Sequence, residues 1–196
     1  MGIVIKNLSK AFDGKTVLEN FSCELPEMGV VALMGKSGIG KSTLINLLLG
    51  LRRPDSGEIR LPKSFRFSAV FQEDRLFPHL SARENLLLTT GRALPEIDAA
   101  LAALSLNPEE KSPVKTYSGG MQRRVALARG VLFPADALLM DEPFRGLDEE
   151  TRAQAVKFVR EEWKNRLVIL VTHDMEEARM MGVQRIITIG GSDDGQ

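Results

Sequence analysis

The sequence predicts a doubly wound α/β fold, and three observations predict it. Four short runs are almost wholly apolar: Val30–Met34, Ala137–Met140, Leu167–Val171 and Arg185–Ile189. Such runs read as strands buried on both faces, the mark of a parallel sheet covered by helices. Helical stretches separate them, which is the alternation expected of α/β proteins. The first run also leads directly into a glycine-rich segment that opens a helix. At 196 residues the chain is long enough for one domain, or one domain with a small subdomain.

Taken in order, the elements read as follows. Phe21, Cys23 and Leu25 alternate with Ser22 and Glu24, as on a strand with one buried face, and Cys23 is a small core residue. After Val30–Met34 comes Gly35-Lys36-Ser37-Gly38-Ile39-Gly40-Lys41-Ser42-Thr43, which fits GxxxxGK[ST] between a strand and the helical run Leu44–Leu51. Glycines let successive backbone N–H groups turn inward around phosphate oxygens, and the helix N-terminus adds partial positive charge. Lys41 is placed to reach the β- and γ-phosphates, and the Ser42 hydroxyl to ligate Mg²⁺. From about Glu73 to Thr116 the strand rhythm breaks. Two helical candidates, Ala82–Thr90 and Pro95–Ser105, mark a small helical subdomain of about residues 73–122 inserted in the core.

The run Ala137–Met140 ends in Asp141 and Glu142. Ligands of open α/β sheets lie at the carboxyl ends of the strands, so both carboxylates should face the phosphate loop. Asp141 is expected to hold Mg²⁺ and Glu142 to serve as general base for an attacking water. Asp148, followed by Glu149 and Glu150, caps a helix on which Val156, Val159 and Trp163 recur, Trp163 as a packing residue. The polar, glycine-rich segment 190–196 reads as a frayed tail.

Composition excludes several classes. Lys+Arg and Asp+Glu number 26 each, so net charge gives no support for polyanion binding, and no nucleic-acid partner is expected. One cysteine rules out an internal disulfide, and with two histidines a zinc cluster is improbable. No apolar stretch approaches the roughly 20 residues of a membrane-spanning helix. The N-terminus lacks the apolar core and cleavage site of a signal peptide, and Lys6 breaks the myristoylation pattern. A cytoplasmic location is the expectation.

One segment selects among phosphate-loop classes. Tyr117-Ser118-Gly119-Gly120-Met121-Gln122-Arg123-Arg124 resembles the signature motif, usually LSGGQ, of ATP-binding-cassette (ABC) ATPases. Other family elements follow in order. Phe12 stands where the family has an aromatic ring that stacks on adenine. Gln72, after the strand-like run Phe67–Phe71, resembles the family's Q-loop glutamine. Arg145-Gly146-Leu147-Asp148 resembles the D-loop, and His173 the switch histidine that senses the γ-phosphate. The resemblance covers about Ile3 to Ile189. It implies a P-loop NTPase (RecA-like) core with an antiparallel β part, here trimmed, and the inserted helical subdomain, all forming a single ABC ATPase domain over 1–196.

The resemblance also implies ATP and Mg²⁺ as cofactors, with Ser42, Gln72 and Asp141 around the metal. It implies a head-to-tail dimer in which Ser118, Gly119 and Gly120 of one cassette close on ATP bound to the other. Tyr117, Met121, Phe12 and Arg145-Gly146 depart from the commoner residues. The stretch Val70-Phe71-Gln72-Glu73-Asp74-Arg75-Leu76-Phe77-Pro78 is similar to a segment of nitrate, sulfonate and taurine importer ATPases. That likeness implies a peripheral subunit on the cytoplasmic side of the cell membrane. It would drive uptake of a small solute through a separate permease, with a solute-binding protein engaged through that permease. Phe77, Pro78 and Leu80 are candidates for the permease contact, and His79 has a structural role. The alternative is a soluble, lipid or cell-division ABC ATPase. Only 100 residues separate Lys41 from Asp141, which leaves no room for the long coiled coils of repair and chromosome types. The signature segment and Glu142-Pro143 disfavour a P-loop kinase.

Overall fold

The computed structural model describes residues 2–36 and 38–189. The expected frayed tail and Ser37 lie outside the described residues. The chain opens with β1 (Ile3–Phe12) and β2 (Lys15–Leu25), an antiparallel hairpin. Its turn is Asp13-Gly14, both at positive φ (48° and 76°), the backbone that a tight two-residue hairpin needs. The alternation at Phe21–Leu25 thus belongs to a longer strand, and the Asp13-Gly14 dipeptide is the sequence signal for its pairing with β1. β4 (Ser56–Arg60) pairs with the other edge of β1 to complete a three-stranded antiparallel sheet.

The second sheet is parallel, in the order β5-β6-β7-β3-β8. Its strands are β3 (Gly29–Met34), β5 (Phe67–Val70), β6 (Ala137–Asp141), β7 (Leu167–Val171) and β8 (Arg185–Thr188). β6 and β7 are buried at every position, as their unbroken apolar sequences require. β8 corrects the expectation of burial on both faces: it lies at the sheet edge, and Ile186 is 47% exposed. Its apolar content alone could not distinguish edge from centre.

α1 (Lys41–Leu48) begins and ends earlier than the predicted Leu44–Leu51. The glycine-rich loop feeds straight into its first turn, where Leu44 N–H bonds Gly40 O at 2.9 Å. At the far end Gly50, at φ 67°, reverses the chain and leaves Leu51 exposed. The helical insert contains α2 (Ala82–Thr90), α3 (Leu94–Ala103), a 3₁₀ turn (Val114–Thr116) and α4 (Gly119–Leu132). α2 matches its predicted span and carries a Ser81/Glu84 capping box. α3 stops short of Ser105, which adopts a left-handed φ of 53°.

α4 starts in the insert but ends against the parallel sheet. A Cβ on Gly130 would sit 2.5 Å from Val70 Cγ2, and Ser68 Oγ donates to Gly130 O at 2.5 Å, so only glycine allows this approach to β5. One apolar cluster therefore joins Leu86, Ile97, Leu101 and Tyr117 of the insert to Leu138, Met140 and Val159 of the core. A second joins the antiparallel sheet and α1 to the opposite face of the parallel sheet. α5 (Glu149–Glu162) and α6 (Met175–Met181) complete the core. Trp163 is buried, donates Nε1–H to Val131 O at 2.8 Å, and is covered by the Arg166 guanidinium at 3.9 Å.

Candidate functional site

The parallel strands point their carboxyl ends at one cavity of about 690 Å³, within the range of small-ligand sites. Four of the five strands each deliver one part of it. β3 delivers the glycine loop, with Gly35, Lys36, Gly38, Gly40, Lys41, Ser42 and Thr43 in the lining. β6 delivers Asp141 and Glu142, β5 delivers Gln72, and β7 delivers His173. Gly40 has φ 108°, and a Cβ there would meet Val17 O at 2.8 Å, so the loop closes against β2 only without a side chain. Ile39 turns away from this cavity, packing against the apolar cluster under α1.

Lys41 Nζ donates to Gly35 O at 2.7 Å and Lys36 O at 2.9 Å. The ammonium is thus held over the loop by two neutral carbonyls, from which an anionic phosphate oxygen would win it by charge. Asp141 is buried, and burial pushes its carboxyl above the ordinary range. A hydrogen bond from Ser42 and the charges of Lys41 and Arg123 pull the other way, while Glu142 adds to the rise.

Glu142 is the half-buried end of the acidic pair. Its Oε1 lies 3.4 Å from His173 Nδ1 and its Oε2 3.7 Å from Arg145 Nη1. Its backbone is left-handed, φ 47°, which for a non-glycine residue costs of order 1–3 kcal/mol. That conformation survives because both polar groups of the residue are committed. Its N–H bonds Val171 O at 2.9 Å and its C=O accepts from Arg123 Nη2 at 2.6 Å. The twist at this position aims the side chain at the cavity.

The remaining expected residues are not all gathered there. Phe12 ends β1 outside the lining, its ring centroid 5.0 Å from the Arg52 guanidinium and 5.6 Å from Lys10 Nζ. Ser118 caps α4, its Oγ accepting from Met121 N–H at 3.2 Å. Gly119 and Gly120 line a separate recess of about 330 Å³ with Gln72, Asp74, Arg123, Arg145 and Gly146. Gln72 alone of the expected residues borders both hollows. Asp148 caps α5 through two bonds from Thr151, both 2.9 Å, which hold its carboxyl below the ordinary range. Tyr117 is buried in the insert, and burial raises its hydroxyl pKa. His79 is exposed beside Lys115, at 3.2 Å.

Sequence reasoning missed the arginines of α4. Arg123 is buried and bonds the segments that carry Gln72 and Glu142. Arg124 donates to Leu104 O at 2.8 Å, and Arg129 donates to Arg75 O at 2.7 Å. Helical spacing places these side chains, but most of their acceptors are backbone carbonyls distant in sequence, which leave no local signal.

Comparison with known proteins gives a consistent result. The family model described as ABC transporter matches residues 18–145. A protein of Streptomyces avermitilis named aliphatic sulfonates import ATP-binding protein is 39% identical, over 97% of this chain and 73% of its own. A protein of the same name from Paraburkholderia xenovorans is 36% identical, over 97% of this chain and 78% of its own. Among solved structures, the ATP-binding cassette MJ0796, a dimer in a post-hydrolysis state with ADP and Pi, superposes with a TM-score of 0.82. It is 27% identical and covers 95% of this chain and 94% of its own.

Proposed function

The chain belongs to the ABC transporter family, and on that premise we propose that it is the ATP-hydrolysing subunit of an importer for a small solute. One observation carries the reading. Lys41, Ser42, Gln72, Asp141, Glu142 and His173, spread over most of the chain, line a single cavity at the carboxyl edge of one sheet. The import direction is supported by the names of the relatives, and aliphatic sulfonates are the first solute class to assay.

The chemistry follows from placement. The loop N–H groups and Lys41 bind the phosphates. The donor set fits magnesium, which prefers hard oxygen ligands: a hydroxyl, Ser42, bonded to a buried carboxylate, Asp141, with Gln72 beside them. When bound there, the ion would neutralise charge on the β- and γ-phosphates. Glu142 takes a proton from the water that attacks the γ-phosphorus, and ADP leaves in line. His173 steadies Glu142 and reaches the γ-phosphate. Gln72, bordering both hollows, reports the state of the site toward the insert.

The separate recess supports head-to-tail pairing. Ser118, Gly119 and Gly120 stand outside the cavity of their own chain, so their helix N-terminus is free to bind ATP held by a second cassette. Phe12 is assigned to adenine, with Arg52 and Lys10 displaced from its ring on binding. No helix of the described residues is long and apolar enough to cross a membrane, so membrane attachment is assigned to a permease. An apolar groove of about 340 Å³, lined by Leu51, Phe67, Phe71, Phe77 and Phe133, supports that assignment. Of the three candidates for the contact, Phe77 lines it; Pro78 and Leu80 are tied by their carbonyls to Lys115 and Val114.

The test is affinity capture of the tagged protein from detergent-solubilised native membranes, with mass spectrometry and an ATPase assay on the complex. A multi-span membrane protein whose capture is lost in Phe77→Asp is the expected result. Capture of soluble proteins or nucleic acid alone would overturn the transport reading and leave the ATPase chemistry standing.

A further inference from the structure

We propose that Arg123 is a positioning residue for hydrolysis: its guanidinium clasps the segment carrying Gln72 to the segment carrying Glu142, so that the two move as one. A guanidinium is a rigid planar fork with five N–H donors and no freedom to shed its charge. Here the fork is divided between two partners. Nη1 donates to Phe71 O at 2.6 Å, to Gln72 O at 3.3 Å and to Asp74 Oδ1 at 3.0 Å, all in the stretch that follows β5. Nε donates to Pro143 O at 2.8 Å, and Nη2 to Asp141 O at 3.2 Å and Glu142 O at 2.6 Å, the last residue of β6 and the two that follow it. Because one planar group spans both, a shift of one stretch without the other breaks charge-assisted bonds in a buried setting, where Arg123 is only 5% exposed.

Two further observations give the clasp a purpose. Glu142 holds a left-handed backbone, and its carbonyl is one of the two shortest acceptors of the fork. Asp74, the one charged acceptor, lines the recess that also holds Gly119 and Gly120. Arg123 thus connects the surface where a second cassette would close to the backbone that aims the base. Neither Lys41 nor Ser42 touches it, so nucleotide binding and base positioning are separable.

The inference rests on Glu142 being the base, and the experiment separates the two. In Arg123→Lys, one ammonium cannot reach both stretches. ATP affinity is expected within about threefold of wild type, while kcat falls about ten- to hundredfold, the scale of a catalytic group displaced by about 1 Å. An unchanged kcat, or an equal loss of affinity, would overturn the clasp. Asp74→Asn, at a partly exposed position, keeps the test alive if Arg123→Lys does not fold. Hydrogen exchange is then expected to quicken about threefold or more at residues 71–75 and also at 141–145, because the planar group transmits the loosening. Quickening confined to 71–75 would overturn the proposal whatever the role of Glu142.

Discussion

Replacing Glu142 by Gln isolates the proton-accepting step from everything else the site does. The amide keeps the size and left-handed backbone of the residue but cannot act as a base. What it loses structurally is small: the partners His173 and Arg145 are 78% and 65% exposed, at 3.4 and 3.7 Å. Exposed pairs of this kind contribute about 0–1 kcal/mol, so Tm should stay within about 2–4 °C. The phosphate loop, Lys41 and Ser42 are untouched, and ATP affinity should stay within about threefold. The barrier is another matter. Loss of a positioned base costs about 10²–10⁴-fold, or about 3–5 kcal/mol. The assay is steady-state phosphate release at saturating ATP and Mg²⁺, with nucleotide titration and thermal melting on the same preparation. With the bound ATP uncleaved, light scattering should report a doubled mass that reverts when nucleotide is removed. Turnover within about tenfold of wild type would refute the assignment of the base, and a monomer at saturating ATP would refute head-to-tail pairing.

Three further outcomes follow from other parts of the structure. Lys41→Ala should weaken ATP binding by at least about tenfold while leaving Tm nearly unchanged, since among the described residues its ammonium donates to two loop carbonyls; equilibrium titration decides it. Asp141→Asn should abolish Mg²⁺-dependent turnover yet raise the Tm of the metal-free protein by about 2–4 °C, because it removes a charge that burial disfavours; a lower Tm would show that Lys41 and Ser42 more than offset that burial. Gly130→Ala should lower Tm, although alanine favours helix by about 1 kcal/mol, because its Cβ would lie 2.5 Å from Val70 Cγ2 and 3.0 Å from Ala69 O. A rise in Tm would mean that β5 yields at no cost.

The sequence by itself determined the features that are written in consecutive residues. The glycine loop, the acidic pair at the end of β6, the capped start of α5 and the apolar strands are local patterns whose backbone geometry follows from residue type. Their shared location followed too, because parallel strands deliver their carboxyl ends to one edge. The signature segment was legible in the same way.

Tertiary structure decided what depends on neighbours distant in sequence. β8 has the paired isoleucines of a buried strand, and only strand order makes it an edge. Phe12 carries a ring suited to stacking, but strand register sets it outside the cavity lining, beside Arg52. Gly120 and Glu142 belong to the same fold yet line different hollows, Gly120 the recess at the start of α4 and Glu142 the cavity at the end of β6. The bonds of Arg123 are the clearest case. Five of its six acceptors are backbone carbonyls, 18 to 52 positions away along the chain. Every residue type supplies a carbonyl, so no pattern of side chains could announce where they would meet.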